Sequence, residues 1–111
     1  MEIKKSKFLG FKFSIASQEQ AAEILENLKK QHKKARHIAF AYILSSPHQE
    51  KCSDDGEPSG TAGRPILNVL QKRALSNILV AVVRYFGGIK LGAGGLVRAY
   101  SKATTEVLDM E

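Results

Sequence analysis

The stretch Ile78-Leu79-Val80-Ala81-Val82-Val83-Arg84-Tyr85-Phe86-Gly87-Gly88-Ile89-Lys90-Leu91-Gly92-Ala93-Gly94-Gly95-Leu96 decides how this chain is organised. Residues 78–86 are almost continuously apolar and rich in β-branched side chains, the composition of a central strand buried on both faces. Five of the nine glycines follow within residues 87–95. Beyond them Leu96, Tyr100, Ala103 and Val107 recur at helical spacing, with Arg98, Lys102, Thr105 and Asp109 on the opposite side. The stretch thus predicts a buried strand, a glycine-rich turn and an amphipathic helix running to about residue 110.

Upstream, Leu9, Phe11, Phe13 and Ile15 alternate with Gly10, Lys12 and Ser14, which predicts a half-buried strand over 7–16. Ser17 caps a helix over 18–35, with Glu19 and Gln20 in its first turn. Ala21, Ile24, Leu25, Leu28, His32 and Ala35 share its apolar face, flanked by Lys29, Lys30, Lys33 and Lys34. Residues 36–45 read as a second strand, with Ile38, Phe40, Tyr42 and Leu44 on its large face and His37, Ala39 and Ala41 on its small one. Residues 46–63 are too polar and too punctuated for a regular element. Pro65 suits the first turn of a helix over 65–74, with Ile66, Val69 and Leu70 inward. The order β-α-β-loop-α-β-α predicts an α/β two-layer sandwich, an α+β arrangement with the helices on one face of a mixed sheet. The small-residue face is then left open.

The 111 residues are enough for one domain with one core, read as 1–111. No apolar run is long enough for a membrane-spanning helix, and no secretory signal is visible. A lone cysteine, Cys52, excludes an intramolecular disulfide and a multi-cysteine zinc site. A cytoplasmic domain with no membrane partner is expected. The net charge is +6, but unevenly spread. Residues 54–63 carry three acids and no base, between two basic segments. The last residues remain in a helical pattern without a stop signal, the expectation for a domain cut from a longer protein.

Two motifs carry candidate chemistry. In the glycine turn, Gly87, Gly88, Gly92, Gly94 and Gly95 can open backbone N–H groups to an anion at a helix start, with Arg84, Lys90 and Arg98 as cations. Neither dinucleotide-fingerprint spacing nor a Walker pattern fits, so a plain strand-to-helix connection is the competing reading. In the acidic loop, Asp54, Asp55 and Glu57 are candidate acid/base or Mg²⁺-positioning groups, with no other metal or cofactor implied. The competing reading is turn chemistry, since Asp-Gly and Glu-Pro form turns and Asp side chains cap local N–H groups. In a third reading the acidic loop folds against the glycine turn, and Ser59 and Thr61 donate to the anion. His37 is a further candidate beside Arg36, against a structural hydrogen-bonded role. Lys29, Lys30, Lys33, Lys34 and Arg36 form the densest basic run, either a solvated helix back or a phosphate-contacting surface.

The loop Ser53-Asp54-Asp55-Gly56-Glu57-Pro58-Ser59-Gly60-Thr61-Ala62-Gly63-Arg64-Pro65 and the run from Val83 to Tyr100 together resemble the signature of the IMPACT family, which includes the YigZ proteins. His37 before Ala39 and Tyr42 fits the same signature, and the resemblance covers residues 5–108. It implies the ribosomal protein S5 domain 2-like α/β sandwich. It also implies that the C-terminal ferredoxin-like domain of bacterial members is missing from this chain. The function expected is a translation-associated regulatory domain that binds RNA, the ribosome or a translation-factor partner. One alternative is a nucleotide-binding enzyme or hydrolase with its site between residues 54–61 and 87–95. Another is a protein-interaction module that uses the open sheet face.

Overall fold

The computed structural model describes residues 1–110. Its elements are β1 (Glu2–Ile3), β2 (Ser6–Ser14), α1 (Gln18–Gln31), β3 (His37–Ser45), β4 (His48–Ser53), α2 (Gly63–Lys72), β5 (Ile78–Tyr85) and α3 (Gly92–Asp109). The strands form one sheet in the order β1-β2-β5-β3-β4. The apolar run at 78–86 is its central strand, as its composition predicts.

The α/β class holds, and three particulars differ from expectation. Every strand pair is antiparallel, so the sheet is not mixed. β2 and β3 are joined through a helix and run parallel to each other. β5 returns between them, antiparallel to both. The second difference is that helices cover both faces. α2 and α3 pack on Phe8, Ala39, Ala41, Ile43, Val80 and Val82. α1 packs on the other face, against Phe11, Phe13, Ile38, Tyr42, Leu79 and Val83. The small-residue face is therefore the one closed by two helices, with Ala39 and Ala41 at 0% exposure. Small side chains permit this close approach; at Gly10 an added Cβ would lie 3.1 Å from both Ala103 O and Val107 Cβ of α3. The molecule thus has three layers instead of two.

The third difference is β4, which lies in a stretch expected to be irregular. Its residues His48, Gln49, Glu50 and Lys51 carry no apolar alternation, and its regularity comes from pairing with β3 at the sheet edge. Local signals hold elsewhere. Ser17 Oγ accepts from Gln20 N at 3.2 Å and caps α1, while Gln20 Oε1 reaches back to Ala16 N. Among the described residues no helix is long and apolar enough to cross a membrane.

Candidate functional site

The acidic loop divides its three carboxylates between two tasks. Asp54 Oδ1 accepts from Ala62 N at 3.1 Å and Gly63 N at 2.9 Å, and its Oδ2 accepts from Gly60 N at 2.9 Å. It thereby supplies the cap that Ala62, at the start of α2, cannot. Burial draws its carboxyl upward, but the N–H groups of Gly60, Gly63 and Ala62 hold it below the usual carboxylate range. Asp55 turns the chain through a left-handed conformation and accepts from Ile38 N at 2.7 Å, while its carbonyl oxygen meets His37 Nδ1 at 2.8 Å. Both residues are engaged locally, and turn chemistry accounts for them.

Glu57 points inward instead. Its two oxygens accept from Arg84 Nη1 at 2.8 and 2.7 Å, and Oε2 also accepts from the Tyr100 hydroxyl at 2.5 Å. His37 Nε2 stands 3.4 Å from Oε1. Arg84 Nη2 donates to Ser6 Oγ at 3.3 Å, and that oxygen also accepts from Gly87 N at 3.3 Å. One buried carboxylate thereby ties the acidic loop to β2, β3, β5, α3 and the glycine turn. The Nε of Arg84 is buried without a partner.

Burial, followed by the bond to Glu57, pushes the Tyr100 phenol far above its ordinary value. The unfolded phenol ionises near pH 10, whereas the folded one stays protonated. Its contribution is complete below pH 10 and lost as pH rises through and beyond that value, at about 1.4 kcal/mol per pH unit. Urea unfolding at pH 9, 10 and 11 should show this alkaline loss, and Tyr100→Phe should flatten most of it. An unchanged slope in the variant would exclude Tyr100 as its source.

Above the cluster lies a cleft of about 330 Å³. Glu57 and Pro58 of the acidic loop line one side; Lys90, Leu91, Gly92 and Ala93 of the glycine turn line another. The two sequence motifs therefore converge. His37 and Arg84 contribute to the same walls, and Arg36 and Lys90 supply exposed cations. Arg36 lies over the Phe86 ring at 4.8 Å. Gly92 opens α3 at φ +75°, a conformation suited to glycine, and Leu91 before it gives no side-chain cap.

Other expected residues fall elsewhere. Arg98 folds its guanidinium back beside Gly94 in the first turn of α3 and does not line the cleft. Arg84 meets Glu57 and not open solvent. Thr61 is buried and donates to Pro58 O at 2.6 Å. Lys29 and Lys30 in the last turn of α1, and Lys33 and Lys34 in the turn that follows it, lie on the far side of the sheet. Among the described residues no group of three or more His, Cys, Asp or Glu is placed to hold a metal ion. Of the basic run only Arg36 reaches the cleft, and Phe86 beneath it is not singled out by either motif. Tyr100 reads in sequence as one more residue of a core-facing helix, with nothing to announce its hydroxyl's partner.

An α/β domain with a loop and a glycine turn closed on one buried ion pair matches the model of the Impact N-terminal domain over residues 4–108. The chain belongs to the IMPACT family. It is 49% identical over 108 residues to the IMPACT family member YvyE of Bacillus subtilis, an alignment covering 96% of this chain and 50% of that protein. A crystal structure described only as a hypothetical protein superposes with a TM-score of 0.93 at 41% identity, covering 97% of this chain and 54% of that one. The two-domain translational regulator Yih1 superposes with a TM-score of 0.62 at 27% identity, covering 93% and 43%. The chain thus spans about half the length of the relatives it matches.

Proposed function

We propose that this domain is a translation-associated binding module that takes a phosphate of RNA in the cleft between the acidic loop and the glycine turn. The observation that carries this reading is the convergence of the two motifs on one cleft with unpaired cations at its rim. Arg36 and Lys90 are in no salt bridge among the described residues. The uncapped start of α3 adds backbone donors to the same walls. The translational regulator Yih1 shares the fold, which fits a translation-linked role.

Binding fits better than acid–base catalysis because the titratable groups of the floor are spent on one another. Both oxygens of Glu57 are taken, and both ring nitrogens of His37 face oxygens of Asp55 and Glu57. A general base needs an open lone pair toward its substrate.

The test is binding of a twelve-nucleotide oligouridine across a salt series. Lys90→Ala and Arg36→Ala should each weaken binding and shrink the log–log salt slope by about 0.7 per lost contact. Lys72→Ala, outside the cleft, should leave it unchanged. Absent or salt-independent binding overturns the proposal. The cleft volume also admits a small phosphorylated molecule. Failure with RNA, together with a raised melting temperature in a nucleoside triphosphate, would move the assignment to that second reading.

A further inference from the structure

On the sheet face opposite the cleft, α1 stands alone. Five strands at about 4.8 Å spacing make a face about 20 Å wide, of which one helix covers about 10 Å. The cleft side carries two helices for the same width. What α1 leaves uncovered is a groove beside it, over β3 and toward β4. Two hollows of about 290 and 560 Å³ share Ala22, Leu25 and Phe40 and so run into one another. Phe40 and Tyr42 lie along the floor with parallel rings 6.3 Å apart.

Charge marks both banks. Lys29, Lys30 and Lys33 stand on the α1 side. Lys51 stands on the other, since β4 places it opposite Tyr42 in the register. All four are exposed, and none is in a salt bridge among the described residues. Glu19 and Glu26 interrupt this cationic rim. An unbroken polyanion such as an RNA backbone would meet those carboxylates, whereas a peptide can place its acids selectively.

We infer that this groove docks an amphipathic helix of a partner protein, apolar along one stripe and acidic on both flanks. Its stripe would lie on the half-buried Leu25 and Phe40, with the buried Tyr42 beneath, and its acids would meet Lys29 and Lys51 across the floor. Such a helix would lie in the groove beside α1, by the helix-in-groove mode of recognition.

The probe is an eighteen-residue helical peptide with leucine at i, i+3, i+4 and i+7 and glutamate elsewhere, titrated into the ¹⁵N-labelled protein. A sign-reversed leucine/lysine twin and a twelve-nucleotide oligouridine serve as comparisons. The acidic peptide should shift the amide signals of Ala22, Leu25, Phe40 and Lys51 and leave residues 88–92 unmoved. The surface variant Lys29→Glu/Lys51→Glu should keep its circular dichroism and bind at least tenfold more weakly. The inference fails if the acidic peptide gives no saturable shifts, if the twin binds as tightly, or if the double variant binds unchanged. It also fails if oligouridine shifts the same amides.

Discussion

Replacing Arg84 with methionine is expected to lower the unfolding free energy by about 3–5 kcal/mol, out of the roughly 5–15 kcal/mol that holds such a domain folded. Arg84 is 4% exposed and Glu57 7%, so neither charge can fall back on water. With the guanidinium gone, the carboxylate keeps only the Tyr100 hydroxyl and the more distant His37. A lone buried carboxylate is strongly disfavoured, and unfolding relieves it. The Glu57→Leu/Arg84→Met double variant removes both charges. It should recover most of the loss, because an apolar pair of similar volume can replace a buried ion pair at little net cost. A residual penalty of about 1 kcal/mol is expected from the Tyr100 hydroxyl left without its partner, since Ser6 Oγ keeps Gly87 N. Urea unfolding of wild type, both single variants and the double variant measures the coupling directly. A single Arg84→Met variant within about 1 kcal/mol of wild type, the noise of such extrapolations, would remove the ion pair from its place as the site's structural centre.

The same ion pair explains why the site was only half legible in the sequence. Motif spacing located the acidic loop and the glycine turn, because clustered carboxylates and five glycines in nine residues are local signals. It could not separate Glu57 from Asp54 and Asp55. All three are acids in one polar stretch, and only the chain's path sends Glu57 inward while its neighbours cap N–H groups. Arg84 raised the opposite difficulty. It lies near the end of an otherwise apolar strand and reads as a cation for the glycine turn, yet a buried partner keeps it inside. The fold divides in the same way. β5, α1 and α3 follow from periodicity and an N-cap, all set within each segment. β4, the antiparallel register and the closed alanine face depend on which strand lies beside which, and β5 returning between β2 and β3 leaves no trace in local pattern.

Gly87→Ala is the second large effect, and it links stability to the cleft. An added Cβ would overlap the carbonyl of Lys5, a backbone group in the turn between β1 and β2. That turn has little room to yield, because Lys4 and Lys5 both hold positive φ, at 47° and 68°. Gly87 N also donates to Ser6 Oγ, the oxygen that receives Arg84 Nη2. Moving residue 87 therefore disturbs the ion pair and the glycine turn together. The expected cost is about 3 kcal/mol, at the upper end for overpacking. Gly88 is the comparison: its φ is +88°, but an added Cβ meets nothing within 4 Å. Gly88→Ala should cost only the conformational penalty of about 1–2 kcal/mol. The two variants should also part in function. Gly87→Ala shifts the chain leading to Lys90 and Gly92, so it should weaken oligouridine binding even at temperatures where the protein stays folded. Equal losses of stability for the two alanines would show that the contact with Lys5 does not hold the turn. Unchanged binding by a folded Gly87→Ala protein would separate the glycine turn from the cleft's ligand.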